Sequence, residues 1–126
     1  MIFVSESIEE TQKVAKNLAK RGYNLILTAR RTELLESLSK EITNENDIHV
    51  GVTTNGTLIN KHLNSLANHT KWVRISVDAG CEDVFQQYRP HASGKSQFNK
   101  VIDGMRKLAE ARTTKLGFSF LVLEKI

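Results

Sequence analysis

Residues 48–78 read IHVGVTTNGTLINKHLNSLANHTKWVRISVD. An apolar run from Ile48 to Thr54 ends on Asn55-Gly56. A second run, Trp72–Val77, alternates Val73, Ile75 and Val77 with Arg74 and Ser76. Asn-Gly between two strands is a hairpin signal. Here the next apolar residues, Leu58, Ile59, Leu63 and Leu66, are spaced for one face of a helix instead. A helix between two strands makes them parallel, joined by a right-handed crossover. This segment places the chain among α/β proteins.

The same alternation extends both ways. Toward the N-terminus, Ile2-Phe3-Val4 reads as a strand, and Ser7-Ile8-Glu9-Glu10 as a capping box. A helix comes next, with Val14, Ala15, Leu18 and Ala19 on one face, and Gly22 is its left-handed stop. Leu25-Ile26-Leu27 is a second strand. Thr32 caps a helix whose apolar face is Leu34, Leu35, Leu38 and Ile42, and Thr43–Asp47 is a polar loop. Toward the C-terminus, residues 81–96 are irregular, opening on a short helix with Val84, Phe85 and Tyr88. A longer helix carries Phe98, Val101, Ile102, Met105, Leu108 and Ala109, and Leu116–Leu123 is a fifth strand.

The expected architecture is a single α/β domain over 1–126: a five-stranded parallel sheet with four or five helices. A doubly wound order of flavodoxin or Rossmann type, 2-1-3-4-5, is favoured over a half-barrel. A sequential order would place every helix on one face and leave the other, read as apolar, open to water. A monomer is expected, or a homodimer if one sheet face is uncovered.

Composition narrows the function classes. The chain has 126 residues, a net charge of +4 and one cysteine, Cys81. One thiol forms no intrachain disulfide and holds neither an iron–sulfur cluster nor a Cys-rich zinc site. His49, His62, His69 and His91 show no HxxxH or HxH spacing, so no metal site is expected. Lysines and arginines are scattered along helices, and no nucleic-acid signature accompanies them. The opening MIFVSESIEE lacks a signal-peptide pattern, and no apolar run nears the roughly 20 residues of a membrane helix. A cytoplasmic or purely recombinant setting is expected, with no nucleic acid, membrane or other partner.

Residues 12–42, QKVAKNLAKRGYNLILTARRTELLESLSKEI, resemble the first helix, second strand and second helix of short-chain dehydrogenases of the Rossmann type. That resemblance implies a glycine-rich phosphate turn just before and a Tyr-x-x-x-Lys pair. Ser5–Glu10 has no glycine and three carboxylates, Glu6, Glu9 and Glu10, where a dianion would sit. They favour the helix N-terminus and repel phosphate. Tyr23 and Tyr88 have Leu27 and Ala92 four residues on. Arg30 and Arg31 fall where NADP-preferring members keep a 2′-phosphate ligand.

VGVTTNGTLI at 50–59, KWVRISVDAG at 71–80 and FNKVIDGMRKLAEARTTKLGFSFLVL at 98–123 resemble radical S-adenosylmethionine enzymes. The likeness covers the third, fourth and fifth strands of that family's partial barrel. It implies a cofactor cleft at the strand ends, where Asn55, Ser76 and Asp78 fall. It also implies a CxxxCxxC loop, which this sequence lacks.

The two resemblances meet at about 45–50, which reads as a fusion point. The sequence thus predicts an engineered or designed chimeric scaffold with no enzymatic function, no catalytic residue and no cofactor. The alternatives are a weak nucleotide- or S-adenosylmethionine-binding module using Arg30, Asn55, Ser76 and Asp78, and a natural pseudoenzyme fragment. Arg89–Ser96 resembles a P-loop only at its end and reads as a loop.

Overall fold

A computed structural model describes residues 2–5, 9–28 and 32–122, with burial resolved over 12–28 and 37–122. Strands and helices alternate: β1 (Ile2–Ser5), α1 (Glu9–Lys20), β2 (Leu25–Thr28), α2 (Thr32–Glu45), β3 (Val50–Thr54), α3 (Leu63–His69), β4 (Trp72–Ser76), α4 (Glu82–Tyr88), α5 (Phe98–Ala111) and β5 (Lys115–Ser119). The α/β class, the five parallel strands and the five helices agree with the sequence reading. The Ser7 capping box and the Thr32 side chain lie outside the described residues.

Local chemistry explains the ends. Gly22 sits at φ 84, its amide donates to Ala19 O and the Tyr23 amide to Leu18 O. These two bonds close α1 as a Schellman motif. After β3, Gly56 takes φ 81 beside Ile75 and Val101, so a Cβ would meet both strain and contact. Turns then carry the chain from Ile59 to His62 before α3 begins.

The strands lie in the order β1-β2-β3-β4-β5. This corrects the expected 2-1-3-4-5. Sequential right-handed crossovers place the helices in one layer, and α1 packs on α2, α2 on α3, and α3 on α5. In-register residues of parallel strands share a face, so the register defines both sides. Leu25, Leu27, Val50, Val52, Val73 and Ile75 are fully buried under the helices. They meet Ala15, Ala19, Ile42, Ile59, Leu66, Val101 and Leu108 in one core. The opposite face carries Thr28, Thr53, Arg74, Ser76, Lys115 and Ser119, along with Ile26, Gly51, Trp72 and Gly117. Its polarity is the physical reason the order is tolerated: the face that no described helix covers is mostly hydroxyl and cation, not the apolar surface assumed.

Candidate functional site

In an open parallel sheet, ligands bind beyond the carboxyl ends of the strands. Here β3 ends in Thr54 and Asn55. The Thr54 hydroxyl accepts from the Gly56 amide at 3.2 Å. Asn55 Oδ1 accepts from the Thr57 amide at 3.1 Å and from the Thr57 hydroxyl at 3.0 Å. This Asx turn holds the exposed Asn55 side chain at the rim.

β4 ends in Ser76, which pairs in register with Ser119 of β5. Two residues on, Asp78 adopts φ 55, a left-handed conformation that Asp tolerates better than most residues. The Val77 and Asp78 amides both donate to Ser119 O, at 3.2 and 3.3 Å. The turn aims the Asp78 carboxylate at two donors: Oδ1 accepts from the Leu121 amide at 2.8 Å, and Oδ2 from the Arg89 guanidinium. Asp78 thereby ties the end of β4 to the chain leaving β5 and to the C-cap of α4.

Arg89 and Tyr88 line two open cavities. One, of about 520 Å³, is bounded by Asp78, Val84, Tyr88, Arg89 and Leu121. The other, of about 540 Å³, is bounded by Asn55, Thr57, Tyr88, Arg89, His91 and Gln97, among others. Both volumes suit a small-molecule ligand. Arg89 Nε and Gln86 Oε1 are buried with no hydrogen-bond partner among the described residues. Phe85, packed on Phe98 with ring centroids 5.6 Å apart, anchors α4 beneath them.

Of the residues singled out from sequence, Asn55 and Asp78 line adjacent cavities and Ser76 lies half-buried two residues before Asp78. Arg30 lies outside the described residues. Arg89 and Tyr88 were missed as site residues. Their place depends on α4 turning back over the strand ends, and no spacing motif announces that. The one signal in the sequence was Pro90, which stops α4 and leaves Arg89 at its exit.

An iron–sulfur cluster does not fit the donor set of this chain. Cys81 is its single thiol, exposed at the N-cap of α4. No group of three His, Cys, Asp or Glu side chains suited to a metal ion occurs among the described residues. No helix among them is long and apolar enough to cross a membrane.

Comparison with known proteins bears on the scaffold reading. The family model of the radical SAM superfamily matches residues 3–124. Searches of curated proteins and of solved structures returned no match. The family match, over 3–124, spans both 12–42 and the expected fusion point at 45–50. The dehydrogenase likeness is therefore that of one βα unit to another: an amphipathic helix followed by an apolar strand is common to parallel α/β folds. This overturns both the chimeric, designed scaffold and the absence of enzymatic function expected from sequence. With an open sheet of sequential strands and a match over nearly its whole length, the chain belongs to the radical SAM superfamily.

Proposed function

We propose that this chain is part of a radical SAM-type enzyme and binds S-adenosylmethionine across the C-terminal ends of β3, β4 and β5. The observation that carries the reading is the Asp78–Arg89 pair set between two ligand-sized cavities at those ends. The amino-acid end of S-adenosylmethionine carries one ammonium and one carboxylate. An Asp–Arg pair with an unused, buried Nε offers both charges in reverse. Tyr88, half exposed on both cavity walls, offers a ring face to the adenine or ribose. Asn55 and Ser76 supply polar rim contacts. In this family S-adenosylmethionine would supply radical chemistry only together with an iron–sulfur cluster. The thiolates for that cluster are not among these 126 residues, so the chain's own part is to bind and orient.

Titration of S-adenosylmethionine into the isotope-labelled chain, followed by amide NMR, tests this. Saturable shifts at Asn55, Ser76 and Asp78 are expected, with affinity weakened roughly tenfold or more in Asp78→Asn, the equivalent of about 1.4 kcal/mol. Unmoved amides at millimolar ligand would refute the reading.

A further inference from the structure

The helix-free face of the sheet carries a row of side chains fixed by the register. Thr28 pairs with Thr53, Thr53 with Arg74, and Arg74 with Gly117. Adjacent strands lie about 4.8 Å apart. Two hydroxyls and a guanidinium therefore stand side by side across three strands, and Gly117 leaves the fourth place open. A Cβ at Gly117 would have nothing within 4 Å.

Two features of this row are unspent. Thr53 Oγ1 is buried and has no hydrogen-bond partner among the described residues. Arg74 is exposed and forms no ion pair or side-chain hydrogen bond among them. A second cation, Lys115, sits diagonally below, in register with Trp72. Among the described residues of β2–β5, this face carries no carboxylate. Asp78 lies above it at the strand ends, with its carboxylate turned toward Arg89 and the Leu121 amide rather than toward this row. Trp72, laid over Gly51, floors the row on one side.

A charge kept only for wetting the surface needs no orphaned hydroxyl beside it. A guanidinium fork flanked by hydroxyl donors, open on one flank and with no carboxylate beside it among the described residues, is complementary to an oxyanion. We propose that Thr28, Thr53 and Arg74 bind an oxyanion, carboxylate or phosphate, of the substrate. The site lies about 7 Å below the strand ends, two residues down β4 from Ser76. Assigning the anion to the substrate rests on the cofactor reading above; the anion site itself does not.

Inorganic phosphate and acetate are titrated separately into the labelled chain at fixed ionic strength, with chloride as the reference. The Arg74 Nε–Hε signal and the Thr53 and Gly117 amides are expected to shift saturably with phosphate, acetate or both. The arm that saturates at lower concentration names the anion class. Arg74→Gln is expected to weaken that response at least tenfold, and Arg74→Lys to weaken it less. Arg106→Gln, on exposed α5 surface, should leave it unchanged. Shifts that rise linearly and match chloride, or that persist in Arg74→Gln, overturn the proposal. A response to phosphate or acetate in a chain that ignores S-adenosylmethionine upholds the anion site and removes the cofactor reading. The reverse pattern removes only the anion site.

Discussion

At the scale of single residues, Gly51 and Trp72 show how one position constrains its neighbour. They pair in register on β3 and β4, and a Cβ on Gly51 would overlap the indole ring. In an extended strand, Gly→Ala gains about 0.4–1 kcal/mol by restricting the unfolded chain. Overpacking typically costs about 1–3 kcal/mol. The ring is half-buried on the face that no described helix covers, which puts the cost at the low end of that range. Net of that gain, Gly51→Ala is therefore expected to lower stability by no more than about 0.6 kcal/mol in urea unfolding. Because Trp72 is the only tryptophan, its emission reports the displacement directly and should shift to the red. An unshifted spectrum would mean that the ring does not cover Gly51. The strand ends were legible at this scale: Asn55, Ser76 and Asp78 follow from finding where apolar runs stop. Arg89 was not, because its meeting with Asp78 joins residues separated by a turn and a helix whose path no local pattern specifies.

At the scale of elements, α5 shows what periodicity captures and what it misses. Its apolar spacing places Val101 and Leu108 in the core, as found. Gly104 lies on the same buried face, where a Cβ would come within 3.0 Å of Ile59, so this glycine marks a close approach between α5 and the turn before α3. The helix stops at Arg112 in a left-handed conformation, φ 57, with no glycine to announce it. On its solvent side Asp103 and Lys107 form an i,i+4 pair at 2.9 Å. The hydrogen bond from Lys107 is the main cause holding the Asp103 carboxyl below its ordinary value, with Asn60 and Arg106 assisting. A carboxylate depressed in the folded state contributes stability above its unfolded pKa, and the contribution disappears as pH falls through the folded value. Lys107→Gln should raise the Asp103 pKa toward the ordinary value, read by carboxyl-carbon NMR titration. The two proteins should differ slightly in Tm near neutral pH, with the gap closing in acid. The pair is exposed, so a large gap would point to a role beyond the pair itself.

At the scale of the molecule, strand order was the feature the sequence reading got wrong, and β4 held the correction. A strand buried on both faces reads as continuously apolar. WVRIS instead buries Val73 and Ile75 while leaving Arg74 exposed. That is the period-2 pattern of a sheet covered on one side. Hairpin-free alternation of strands and helices identified the class, while the polarity of Arg74 and Ser76 carried the order. The uncovered face being mostly polar, it lacks the drive for dimerisation that an apolar face would supply. Exposed apolar surface gathers at the β5 edge: Phe118 is 60% exposed and Val122 90%, with Phe120 and Leu121 between them. Phe118 pairs in register with the fully buried Ile75, yet the helix layer does not reach it. It packs edge-on against Phe120 at 5.5 Å instead. An edge strand with free backbone groups and apolar side chains invites pairing with a second copy. Sedimentation velocity over a range of concentrations should therefore show reversible self-association. Phe118→Lys, which adds charge at the edge without touching the core, should shift the equilibrium to monomer. Arg74→Gln, on the open face, should leave it unchanged. Were Arg74→Gln to alter assembly while Phe118→Lys did not, the contact would have to run through the face of the sheet rather than its edge.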